Sequence, residues 1–208
     1  MKYLVLVSSL CFAFAGWANS KTVYRDAQGR VRQTVTTDNY GKSTCRDSSG
    51  HVQGTAVTDR RGKTTYRDGS GRIQGTLSVD RNGNSTYRDA GGRVQRTTQT
   101  DAYGKTTFRD GSGRLEGTVT TDRSGKTTWR DERGRVDATA ITDKNGKTTY
   151  RDYLGRVQST VSTDRYGKTT YRDGSGHVTG ARQVDKNGKV TWRDEQGRIQ
   201  GTKTETWW

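Results

Sequence analysis

The sequence predicts an all-β chain of tandem 21-residue β-hairpin repeats, laid out as one long twisted or curled antiparallel sheet. Three observations carry this prediction. The triplet aromatic-Arg-Asp begins at Tyr24, Tyr66, Tyr87, Phe108, Trp129, Tyr150, Tyr171 and Trp192, with Cys45 filling the slot once, always at a spacing of 21. Two Asp-x-x-Gly marks punctuate each unit, as at Asp26–Gly29 and Asp38–Gly41. Between the marks stand Thr, Val, Ile and aromatic residues in runs of about five to eight, which is strand composition at strand length.

Residues 1–18, "MKYLVLVSSLCFAFAGWA", place Lys2 before an apolar run and close on small residues, the layout of a secretory signal peptide. The expected location is therefore exported, periplasmic or extracellular. A chain without proline and with Cys45 as the single cysteine after such a leader points to a bacterial source. Residues 19–208 form one array of nine units, the last incomplete. Periods of this length signal units that bury their apolar side against their neighbours.

Within a unit, the Asp of each mark accepts backbone hydrogen bonds and the Gly supplies the positive φ that closes a tight turn. Seventeen turns then join eighteen strands. The register is a question of parity. A four-residue first loop and a three-residue second loop set Tyr24 opposite Val31 and Val35 opposite Cys45, with all three apolar slots on one face. Two three-residue loops would throw successive aromatics onto opposite faces, although they would also set Asp26, not Arg25, opposite Arg30. Parity favours the mixed loops. A parallel β-solenoid is the alternative architecture, disfavoured by its stacked column of Arg.

The array has to stop. Arg182 and Lys203 replace the apolar third slot in the last units, and Glu205 follows, which predicts a charged outer edge that resists further pairing. Trp207 and Trp208 occupy the slots of a turn that is never completed, and they are expected to fold back over the open end.

The segments "YRDGSGRIQGT" and "VDRNGNSTYRD" resemble the YD (Rhs-type) repeat, Tyr-Asp-x-x-Gly-Arg-Leu followed by Thr-Asp-x-x-Gly-Arg-Thr-Thr. The resemblance runs through residues 19–208 and departs in one respect, an Arg between aromatic and Asp in every copy. It implies a hairpin repeat and a role in carbohydrate or cell-surface contact, without the shell or toxin module of the large relatives.

No catalytic constellation is legible. His51 and His177 substitute for Arg after a turn, no His/Cys spacing suits a metal, and no Ser or Thr has a base in a defined motif. A non-enzymatic protein without cofactor is expected. The formal charge of +15, or +14 without Lys2, predicts polyanionic partners: an anionic glycan, lipopolysaccharide or an acidic protein, with nucleic acid less favoured. Candidate contacts are Arg25, Arg46, Arg67, Arg88, Arg109, Arg130, Arg151, Arg172 and Arg193, with Lys63, Lys105, Lys126, Lys147 and Lys168. All are expected on the face opposite the aromatics, among the rows of Thr34, Thr36 and Thr44. The competing function is a surface or matrix fibre assembled through strand edges. No transmembrane insertion is expected, because the strands are too short and polar to face lipid.

Overall fold

The computed structural model describes residues 19–208, and the leader assigned to residues 1–18 lies outside them. Eighteen strands run in chain order from β1 (Ser20–Asp26), β2 (Val31–Thr37) and β3 (Lys42–Asp47) to β17 (Val190–Arg193) and β18 (Ile199–Trp207). Every pairing is antiparallel and between chain neighbours, with one addition: β18 pairs with β1 along its length, Ser20 opposite Trp207 and Asp26 opposite Gly201. The sheet is a closed ring. The parallel solenoid is excluded, and the open sheet expected from the sequence is corrected to a barrel.

Closure also corrects the reading of the last strand. Lys203 and Glu205 lie within the β1–β18 pairing, joined to each other by an ion pair of 3.1 Å. The charges that suggested a guarded edge sit instead in the seam. An edge paired to the other end of the same chain needs no guard, and a barrel alone removes edges altogether.

Both turn types have three-residue loops. In the first turn the Asp26 N–H donates to the Arg30 carbonyl and in the second the Asp38 N–H donates to that of Lys42. All seventeen turn glycines hold φ between 76° and 89°. The four-residue first loop is thus corrected, while the three-residue second loop sets Val35 opposite Cys45 as expected, and the aromatics still share one face, because every first hairpin carries a β-bulge. Arg25 pairs with Val31 but Tyr24 pairs with Gln33, leaving Arg32 as an extra residue, and the same shift recurs in all nine hairpins. One inserted residue restores the parity that the short loops would break.

The bulge also sets the barrel's shape. Tyr24 lies opposite Gln33 and Gln33 opposite Asp47, two residues beyond the equivalent Cys45, so each unit slips the register by two. Nine units accumulate a shear of roughly 18 residues over the ring, a strand tilt of about 35°, and a backbone diameter of about 33 Å. Strands touch only their ring neighbours, and no described side chain is completely buried.

The inner face carries the aromatic slot, the third slot and, opposite each aromatic, a mostly small residue such as Gly54, Gly75, Ala138 or Ser159. A recess of about 300 Å³ opens on it, lined in part by Val35, Cys45, Ala56 and Tyr66. Cys45 fills the aromatic slot at 3 % exposure. Val31 and its equivalents sit opposite Arg25 and its equivalents, on the outer face, and do not join the aromatics as expected. Near the second turns the inner face is stitched by hydroxyl pairs such as Thr58–Thr64 at 2.8 Å and Thr142–Thr148 at 2.8 Å.

Candidate binding surface

The nine candidate arginines are all exposed, and all nine make the same bond. Nη1 donates to the carbonyl of the positive-φ glycine four residues on, from Arg25 to Gly29 through Arg193 to Gly197, at 2.9–3.1 Å. At the first turns this guanidinium supplies the glycine carbonyl's partner, whereas at second turns such as Gly62 and Gly167 the carbonyl accepts from a backbone N–H of the next unit, Val79 and Val184, at 3.3 Å. Each Arg is therefore first a clamp on the first turn. Clamping uses one of five guanidinium donors, and the rest face solvent in a repeated orientation.

The Asp beside each Arg serves the same turn. At Asp68, Oδ1 accepts from the Ser70 and Arg72 N–H groups at 2.9 Å each, while Oδ2 accepts from the Gln74 amide at 3.0 Å. Gln74 is the extra residue of its bulge. The same latch joins Gln53 to Asp47, Gln95 to Asp89, Gln158 to Asp152 and Gln200 to Asp194, so turn and bulge are locked as a unit. The Arg72 N–H, foremost among these donors, holds the Asp68 carboxyl below the usual carboxylate range. At the second turn, Asp59 is lowered by the Lys63 N–H and then that of Arg61. His51 and His177 stand over Asp47 and Asp173 at 3.7 Å and 3.5 Å.

Lys63, Lys105, Lys126, Lys147 and Lys168 are exposed at the second turns, on the opposite rim from the arginines. Each donates its backbone N–H to the turn Asp. Along β5 (Lys63–Asp68) the outward residues are Lys63, Thr65 and Arg67, so the two sets share a face but stand about 13 Å apart. The outer wall is thus striped with Lys-Thr-Arg, and neighbouring arginines are spaced about 12 Å round the first rim, from two strand widths and the two-residue slip.

Sequence reasoning did not single out the bulge glutamines or the exposed tyrosines of the second turns, Tyr40, Tyr103 and Tyr166. The signal for the first was present, since Gln recurs six residues after the Asp in "DxxG-[RH]-[VI]-Q". The signal for the second was a period of 63 residues laid over the period of 21. Among the described residues no group of three His, Cys, Asp or Glu is arranged to hold a metal ion.

No protein-family model matches the chain, and no curated protein matches it. Solved structures similar to it include the computationally designed Ika8 protein, at 10 % identity over 82 % of this chain and 92 % of that one, with a TM-score of 0.49. BamB from Moraxella catarrhalis matches at 10 % identity over 88 % and 83 %, TM-score 0.37. The C-terminal WD40 domain of Sif2 matches at 10 % identity over 90 % and 70 %, TM-score 0.35.

Proposed function

We propose that this is an exported, non-catalytic repeat protein that binds an anionic glycan, lipopolysaccharide or acidic protein through its Lys-Thr-Arg outer wall. The observation that carries the reading is the identical clamping of nine exposed guanidinium groups. Arg loses side-chain entropy when it binds an anion, and here the turn has already taken most of it. A ring of pre-oriented forks at about 12 Å spacing suits a polymer with repeating carboxylate, sulfate or phosphate groups.

The self-assembling fibre is the weaker reading, because it needs a free strand edge and β1 and β18 use theirs on each other. Insertion into a bilayer is also weaker. Strands of four to nine residues fall at or below the roughly 9–11 that a spanning strand needs, and the outer wall is polar. The resemblance to YD-type repeats fits a surface-contact role.

Chromatography on immobilised heparin and on lipopolysaccharide tests the proposal. Retention should weaken steeply as salt rises. Arg67→Gln, Arg88→Gln and Arg109→Gln together should lower the eluting salt while the circular dichroism spectrum stays that of the parent. Salt-independent retention, or a triple variant that elutes with the parent, would remove this mechanism.

A further inference from the structure

The second rim carries a feature with a longer period than the repeat. Its eight turns share one backbone geometry, and the residue before the glycine is Tyr40, Arg61, Asn82, Tyr103, Ser124, Asn145, Tyr166 and Asn187 in order. Tyrosine returns every third unit. In a ring of nine units that spacing is a third of a circle, and on a barrel about 33 Å across it sets the three rings about 29 Å apart. Their exposures are 79 %, 94 % and 68 %. The place of the ninth turn, between the Asp185–Lys189 and Asp38–Lys42 turns, is taken by the β18–β1 seam, where Trp207 and Trp208 are 61 % and 67 % exposed. They do not fold back over an open end, as the sequence suggested; they stand at the rim.

The rim is basic as well as aromatic. From Asp to the residue after Gly, its eight turns hold fourteen Lys and Arg against eight Asp, an excess of six positive charges. The carboxylates are drawn into their own turns, as at Asp164, whose Oδ1 accepts from Tyr166 and Lys168. The cations lie beside the rings: the Arg165 guanidinium sits 4.8 Å over the Tyr166 ring, and a Lys follows two residues after each tyrosine.

We infer that this rim docks end-on against the surface of an anionic phospholipid bilayer. Amphipathic Tyr and Trp rings favour the headgroup level, and neighbouring Lys and Arg are drawn to anionic lipid. The geometry selects a surface over a chain. Identical turns bring the three tyrosines to a common height, and points about 29 Å apart on a circle can be engaged together only by something extended in two dimensions. A linear polyanion following the rim would meet the cations without needing the rings. The proposal uses the opposite end of the barrel from the arginine clamps and does not depend on their role.

The test is co-sedimentation of the protein with vesicles of phosphatidylcholine alone and of phosphatidylcholine with about a third phosphatidylglycerol. Binding is expected to the anionic vesicles and not to the neutral ones. Tyr40→Ser, Tyr103→Ser and Tyr166→Ser together should weaken it by roughly tenfold or more, since the buried ring area is lost, while heparin retention stays that of the parent. Any one of the three should cost about a third of the combined loss on a logarithmic scale, because each ring multiplies the avidity by its own factor while the other two still engage. Arg67→Gln, Arg88→Gln and Arg109→Gln should leave vesicle binding close to the parent's, so failure here and failure of the outer-wall proposal are separable. Three results would overturn the inference: no binding to anionic vesicles, binding unaltered in the tyrosine variant, or a tyrosine-dependent dimer in sedimentation without vesicle binding.

Discussion

The two rims of this barrel are made by turns with the same backbone and different side chains. Both turns are Asp-x-x-Gly with a three-residue loop, both put glycine near φ +80°, and in both the Asp caps its own backbone. Only the first turn has an Arg clamp across it and a bulge behind it. The second turn hands its chain straight to the next strand in register, Thr58 opposite Thr64 and Thr55 opposite Arg67. Identical loops therefore do two jobs. The two three-residue turns alone would slip each unit by three residues, and the bulge trims that to two and so fixes the shear, while the plain rim leaves its side chains at liberty to carry tyrosines and lysines.

The sharpest way to break this division is to change the number of strands. Removing Thr106–Lys126 takes out one whole unit, slip included, and should leave a folded 16-stranded ring, because slip per strand is unchanged. Removing Thr106–Glu116 takes out one strand and one first turn. The remaining strands are odd in number, so the first and last would meet parallel and the β1–β18 seam could not form. The first variant should show a cooperative thermal transition and the second none.

Deleting Gln74 attacks the bulge alone. Every later strand would then present its aromatic to the opposite face, and a loss of roughly 3 kcal/mol or more is expected. Urea unfolding measures it, and a loss below about 1 kcal/mol would mean that the bulge does not set the parity.

The turns themselves are expected to be equivalent. Gly71→Ala and Gly83→Ala should each cost about 1 kcal/mol, from forcing a Cβ into the left-handed region. Arg67→Ala should cost about 0.5–1 kcal/mol for the lost clamp, whereas Lys63→Ala should stay within about 0.5 kcal/mol. Equal losses for Arg67 and Lys63 would erase the distinction between the rims.

Acid is the mildest probe. Asp59 and Asp68 have their folded carboxyl pKa held below the unfolded value of about 3.9. Their contribution is present above that value and is lost as pH falls through the lower folded pKa. The urea midpoint should therefore hold from neutrality to about pH 4 and decline below it, and Asp68→Asn should flatten that decline slightly.

Repetition is what made so much of this molecule readable from its sequence. A spacing of 21 without insertion defines the units, Asp-x-x-Gly defines the turns, and both follow from local chemistry that holds wherever the segment sits. The sharing of the outer wall by Arg, Lys and Thr follows from strand alternation once the turns are placed. The bulge was written in the sequence only as a recurring Gln, whose meaning depends on a bond to an Asp across the hairpin, as between Gln74 and Asp68.

What residues 19–208 determine by themselves is the hairpin, its two turns and the composition of its two faces. The tertiary structure decides what no single unit contains. A slip of two residues is meaningless within one hairpin, but repeated nine times it brings Asp26 of the first strand opposite Gly201 of the last, turning an apparent open edge into a seam. For the same reason a tyrosine every 63 residues is only a pattern along the chain until the ring closes. Closure converts spacing in sequence into angle in space, and only then do Tyr40, Tyr103 and Tyr166 stand on one rim.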